Sequence, residues 1–319
     1  MSREPLATVE LDGFLRLNRA SLAEFQAALR LLASLPSIQC HSTDDSDLAV
    51  GALYVVSSDQ GKVLCLSVDQ ALTITGWDSP VTLWLRVLAG RVRIGGRCAA
   101  PVVHTEACCV GPGALTVRLA AGTRLVMVIP SERSTLPEGQ ASRCVSSSMV
   151  RCLIDPFLLQ ARFFLDSEQA ETRTRQLLAR LVELETTGQV LGGQALPTLD
   201  RRVKRAIDWI RRESDWQFDL HSLASHAGAS ERNLYYLMKR ETGVTPYRFY
   251  QHCRLIRVRR RLVDCQCEVP HISHYAADEG FSHLGRFAAL YREHFGELPS
   301  ETIQWRRALL DRAAGRQAS

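Results

Sequence analysis

Ala224-Ser-His-Ala-Gly-Ala-Ser230, continued by Leu234, Met238, Gly243 and Pro246, recurs as Ala276-Ala-Asp-Glu-Gly-Phe-Ser282, continued by Phe287, Tyr291, Gly296 and Pro299. Gly228 and Gly280 are offset by 52, as are Ser230 and Ser282. From Leu234/Phe287 to Pro246/Pro299 the offset is 53, so the second copy holds one extra residue. In each copy a short helix ends at a glycine able to take positive φ, Gly228 or Gly280, which turns the chain sharply. A serine, Ser230 or Ser282, caps the next helix. Large apolar residues at helical spacing (Leu234, Leu237, Met238; Phe287, Leu290, Tyr291) bury that helix on the first. This is a helix-turn-helix, whose second helix lies in a major groove. One match alone is weak evidence; two matched copies, at about 220–240 and 272–293, are strong.

Outward from the repeat, the chain from Arg201 keeps a helical period. Val203, Ile207 and Ile210 share one face, and Asp219 is placed to cap a helix with Leu220, Leu223, Ala224 and Ala227 inward. Charge follows the same division. From Asp200 onward there are 21 Lys and Arg against 15 Asp and Glu, a balance of +6, while the rest of the chain stands at −1. A basic helical module beside a neutral one points to a polyanion partner for the C-terminal part.

Before residue 166 the grammar is different. Leu53–Val56, Val63–Leu66, Leu72–Thr75, Val81–Leu85, Val92–Ile94 and Leu125–Ile129 read as short strands punctuated by glycines, the pattern of an all-β sandwich or barrel. Leu83 to Ile94, and Cys109 to Leu115 with Ala121-Gly-Thr, resemble cupin hairpins. A helix is expected around Leu22–Leu35. A second, Glu168–Glu185, carries a stripe of Leu177, Leu178, Leu181 and Leu184 that either packs on its own β-unit or serves self-association. Thr186–Thr198 then reads as a linker. The expected fold is two-domain, an all-β cupin-like barrel with flanking helices followed by an all-α double helix-turn-helix domain. The expected segments are 1–166, 167–200 (packing or dimerisation helix and linker), 201–307, and a tail at 308–319.

Composition excludes several classes. With 46% hydrophobic and 23% charged residues the 319-residue chain is ordinarily globular. No run approaches the roughly 18 apolar residues of a spanning helix, and the first residues carry acids and no apolar core, unlike a secretory signal. The ten cysteines therefore read as reduced thiols, and the location as cytoplasmic. His104 and Glu106, with His41 outside the barrel and no His-x-His pair, are too few for a metal-dependent cupin. Cys108-Cys109 and Cys265-x-Cys267 lack metal or redox spacing. No metal, cofactor or catalytic residue is expected.

Ala229 to Pro246, Arg254 to Leu262 and Glu279 to Thr302 together resemble the AraC/XylS transcription regulators, over about Arg201–Arg307, and Phe281–Phe287 with Phe295–Thr302 look most like the XylS branch. The resemblance implies a seven-helix module with two helix-turn-helix units joined by a long helix, here about Pro246–Asp264. It also implies a bacterial setting and an N-terminal cupin-like effector and dimerisation domain.

Similar proteins place the two recognition helices in successive major grooves, about 34 Å apart. With Leu234, Leu237 and Met238 inward, Glu231, Arg232, Tyr235, Tyr236 and Lys239 face DNA. In the second helix the outward set is His283, Leu284, Arg286 and Ala289. Arg232 and Arg286 are the expected base readers, by the bidentate arginine–guanine contact. Of Arg257, Arg259, Arg260 and Arg261, some are expected on phosphate and others on acids. In the barrel, Trp84, Arg86, Arg93, His104 and Arg118 lie on predicted strands, and those pointing inward are candidates to hold an effector carboxylate. The leading reading is a transcription activator with promoter DNA, RNA polymerase and a small-molecule effector, an organic or aromatic acid, as partners. It dimerises through its N-terminal half and makes no membrane contact. The alternatives are an enzyme or thiol/metal sensor carrying a DNA-targeting domain, and an effector-independent regulator controlled by a partner protein.

Overall fold

The computed structural model describes residues 11–42, 49–96, 102–131, 147–188, 199–213, 215–265 and 271–315. After a 3-10 turn at Asp12–Phe14 come β1 (Leu15–Ala20), α1 (Leu22–Ala33) and β2 (Gln39–Ser42). The strands β3 (Gly51–Ser58), β4 (Gly61–Val68), β5 (Leu72–Ser79), β6 (Leu83–Ala89), β7 (Val92–Gly96), β8 (Val102–His104), β9 (Ala107–Val110), β10 (Gly113–Leu119) and β11 (Arg124–Pro130) follow. They form two antiparallel sheets, ordered β1-β3-β4-β11-β6-β9 and β2-β5-β10-β7-β8. The N-terminal unit is all-β with flanking helices, as expected. Its strands lie in two facing sheets, and among the described residues no strand pairing closes them into one barrel.

The first sheet is buried on both faces, which explains its near-continuous apolar strands. Leu53, Val55, Leu64, Leu66, Leu85 and Met127 pack against Ile74, Val117 and Leu119 of the second sheet. Their neighbours Val63, Cys65, Trp84, Val126 and Val128 face α2 (Ser147–Ala161) and α3 (Ser167–Thr187). The leucine stripe of α3 is therefore spent on its own β-unit: Leu177, Leu178, Leu181 and Leu184 are buried there. Residues 189–198, most of the expected linker, lie outside the described residues.

The C-terminal part holds α4 (Arg201–Arg212), α5 (Leu220–Ala227), α6 (Glu231–Thr242), α7 (Pro246–Val263), α8 (Ile272–Asp278), α9 (Leu284–Phe295) and α10 (Pro299–Gly315), seven helices among the described residues, as the resemblance implied. Because α7 is buried on two faces, it serves two cores. Phe249, Cys253 and Ile256 join Val203, Ile207, Leu223, Leu234 and Met238. Leu255, Val258 and Leu262 join Ala276, Phe287, Tyr291 and Ile303. The tail expected from residue 308 is, as far as Gly315, the continuation of α10. It is ordered because Leu309 and Trp305 pack into the sandwich beside α1. Among the described residues no helix is long and apolar enough to cross a membrane.

Candidate nucleic-acid interface

In the first unit the Asp219 carboxylate accepts from the N–H groups of His221 (3.3 Å) and Ser222 (2.9 Å), starting α5. The helix ends at Gly228, φ +74°, a left-handed conformation that suits glycine. Ala229 N–H returns to the Ala224 carbonyl at 3.0 Å. Ser230 Oγ then accepts from Asn233 N–H at 3.3 Å and caps α6 as expected. Leu234, Leu237 and Met238 are buried, which leaves Glu231, Arg232, Tyr235, Tyr236 and Lys239 exposed. Glu231 meets His221 Nδ1 at 3.0 Å, Lys239 Nζ donates to the Gly243 carbonyl at 2.9 Å, and Arg240 stands over the Tyr236 ring. Arg232 has no ion-pair or hydrogen-bond partner among the described residues.

The second unit repeats the turn with one correction. Gly280 takes φ +76°, and Phe281 N–H returns to the Ala276 carbonyl at 2.9 Å. Ser282 does not cap α9. His283 occupies the cap position, and its side chain makes no capping hydrogen bond. The reason is the extra residue in the second copy: a helix in register at an offset of 53 starts from 283, the counterpart of Ser230. Phe287 and Tyr291 are buried and Leu290 is half-buried, while His283, Leu284, Arg286 and Ala289 are all exposed. Arg286, like Arg232, has no partner among the described residues. Six large apolar side chains are exposed among the described residues, and three of them, Tyr235, Tyr236 and Leu284, lie on these two helices.

The α7 arginines are structural. Arg257 Nε meets Glu279 at 2.8 Å, and Arg259 Nη1 meets Glu297 at 2.9 Å while its Nε donates to the Leu15 carbonyl at 3.0 Å. Arg261 meets Asp278 at 2.7 Å with the Tyr275 ring beneath it, and Arg260 stands 3.9 Å from Asp12. Pairing with acids, expected of some of the four, is found for all of them and pins α7 to α8 and to the N-terminal part. Beside α7 a cleft of about 1000 Å³ opens between the two units, lined by Phe218, Tyr247, Tyr250 and Arg254 among others.

The four barrel candidates whose side chains are described, Trp84, Arg86, Arg93 and Arg118, do not come together. Leu83, Leu85 and Val87 of β6 point into the sandwich, so Trp84 and Arg86, at the alternate positions, face α2. Arg86 already holds a carboxylate, that of Asp155, with Nε to Oδ1 at 2.7 Å. Arg93 and Arg118 are cross-strand partners on the opposite, solvent-facing side of the second sheet. His104 ends β8 opposite Val92, and its side chain lies outside the described residues. The misreading has a physical source. A strand buried on both faces shows no polar alternation to reveal which residues point inward.

The comparisons with known proteins meet at the helical part. A family model for a helix-turn-helix domain matches residues 223–304. The XylDLEGF operon transcriptional activator 1 of Pseudomonas putida is 34% identical over 124 residues, which are 39% of this chain and 38% of that relative's length. The solved structure of a probable AraC family transcriptional regulator from Rhodopseudomonas palustris is 30% identical, covers 33% of this chain and 96% of its own, and has a TM-score of 0.31. The XylDLEGF operon transcriptional activator 2 of P. putida is 34% identical over 134 residues, 42% of this chain and 84% of its own length. With that coverage of a relative, and with two helix-turn-helix units built around one shared helix, the chain belongs to the AraC/XylS family of transcription regulators.

Proposed function

We propose that the chain is a sequence-specific DNA-binding transcription regulator, and an activator, that sets α6 and α9 into the major grooves of paired half-sites near a promoter. The observation that carries this reading is the twice-built turn with an exposed arginine, Arg232 or Arg286, in the first turn of each second helix. The N-terminal half of a recognition helix is the part that meets base edges. The names of the P. putida relatives support activation, and RNA polymerase is the partner that activation requires. In this reading the protein is bacterial and cytoplasmic, dimerises through its N-terminal half, and needs no cofactor.

The thiol-sensor alternative is disfavoured at three positions. Burial pushes the Cys40 and Cys108 thiols up to about 12 and Cys253 up to about 11, so all three stay protonated at neutral pH. The effector-independent alternative is favoured by one observation. The space between the sheets is filled by aliphatic side chains with Trp77, and Trp84, Arg86, Arg93 and Arg118 do not converge there. A small organic or aromatic acid remains the proposed signal, and a thermal-shift screen of the full chain separates the two, since a ligand of the folded state raises the melting temperature.

Selection of bound fragments from random duplex DNA tests the central reading. Two unequal half-sites about one helical turn apart are expected; sequence-blind binding would remove it.

A further inference from the structure

One short N-terminal stretch holds both DNA-reading units. Asp12, in the 3-10 turn, pairs with Arg211 at the end of α4 in the first unit. Arg16, on β1, pairs with Glu297 just after α9 of the second unit. Glu24, in the first turn of α1, receives Nε and Nη2 of Arg306 on α10 at 2.9 and 3.3 Å. The Asp12–Arg211 and Glu24–Arg306 side chains are all at most 7% exposed. Between the attachments the chain is stiff: β1 pairs with β3, and Ser21 and Glu24 close a reciprocal cap at the start of α1. Within the helical part the units are otherwise joined through α7 and its contacts with α8, α9 and α10.

We infer that Asp12 and Glu24 are positioning residues for DNA reading, which fix the two helix-turn-helix units relative to one another and so set the half-site spacing the protein accepts. The inference rests on the proposed function. Buried ion pairs add little net stability over apolar packing, but they penalise any arrangement that leaves a charge unpaired. Two such pairs at opposite ends of a bihelical reader disfavour every relative orientation except one. The N-terminal domain is then part of the ruler, beyond any role in sensing.

The test uses the full chain and two duplexes, the selected paired site and the same half-sites with two base pairs inserted between them. The wild type is expected to bind the lengthened site about 100-fold more weakly, the loss of roughly two base contacts. The Asp12→Asn, Glu24→Gln double variant is expected to lose less than about ten-fold. A folded double variant as sharp as the wild type overturns the inference. Should that variant fail to melt cooperatively, Arg16→Gln, at a pair a quarter exposed on the arginine side, serves in its place. It is expected to relax spacing to a smaller degree, and unchanged sharpness again overturns the inference. Exchanging the charges (Glu24→Arg with Arg306→Glu) is expected to restore part of the discrimination that Arg306→Glu alone loses. A wild type that selects no paired half-sites at all removes the functional reading itself, and this inference with it.

Discussion

Arg306 lays two guanidinium nitrogens on the carboxylate of Glu24 across 282 residues of sequence, and both side chains are buried. Glu24 is answerable to more than one neighbour. Burial pushes its carboxyl up, but the Arg306 hydrogen bonds and charge, with the Ser21 N–H, outweigh it and hold the group below the ordinary range. Arg306→Ala leaves a buried carboxylate without its cation, which costs about 3–5 kcal/mol. A lowered denaturant midpoint at pH 7 is expected. Because the folded-state value is depressed, this contribution is complete above the unfolded value of about 4.3 and fades as pH falls through the folded one. The gap between wild type and variant should therefore narrow as pH falls, starting where the variant's unpaired Glu24 takes up a proton and ending where the wild type's does. A gap constant with pH would assign the effect of Arg306 to packing alone.

Glu24 and Arg306 also show what could be read in the sequence and what could not. Ser230, Gly228 and Leu234 announce themselves because a cap, a left-handed turn and a helical stripe are local patterns, and a second copy repeats them. The α3 stripe was legible as a stripe, though only the structure shows what covers it. Ser282 misses the cap by one residue because the extra residue of the second copy falls before α9. Arg211 and Arg306 carry no local signal at all. Each sits in a helix rich in arginine, and the acid that buries it lies far away in the chain. Trp84 and Arg86 failed for the opposite reason, as their strand is apolar on both faces and conceals its own parity.

Arg232→Ala and Arg286→Ala should each leave stability unchanged within about 0.5 kcal/mol, because both side chains are exposed and without partners among the described residues. On DNA the expectation is a loss of about 1–3 kcal/mol with relaxed preference at a single base pair. Repeating the fragment selection with each variant measures this directly. A uniform weakening across all sequences, with a smaller salt dependence, would reassign that arginine to phosphate.

Gly285 sits in the first turn of α9 with nothing within 4 Å of where a Cβ would stand, and its φ is not in the left-handed range. Nothing inside the folded chain demands glycine there. Gly285→Ala is expected to stabilise the protein by up to about 1 kcal/mol through helix propensity. If the backbone approaches DNA closely at this point, the same substitution weakens binding to the selected site. A thermal melt and a binding titration on one variant separate the two effects. A more stable protein with undiminished binding would remove close approach as the reason for the glycine.

His252 Nδ1 and His294 Nε2 lie 2.7 Å apart in a buried contact between α7 and α9. Both rings are held neutral. Burial lowers His252, with the charges of His294 and Arg211 adding to it against a hydrogen bond to the Arg162 backbone. Burial also takes His294 down to about 4, with Arg248 helping and Asp166 opposing. The unfolded chain binds protons at these rings from about pH 6.5, before the folded chain does. Stability due to the pair is thus complete above that pH and is lost as pH falls toward the folded values, by up to about 1.4 kcal/mol per pH unit for each ring. Denaturant midpoints of the wild type should drop between pH 7.5 and 5, and His294→Gln, which keeps a neutral hydrogen-bonding side chain, should flatten that slope. An equal slope in the variant would place the acid sensitivity elsewhere, and would leave the His252–His294 contact as packing between the two units.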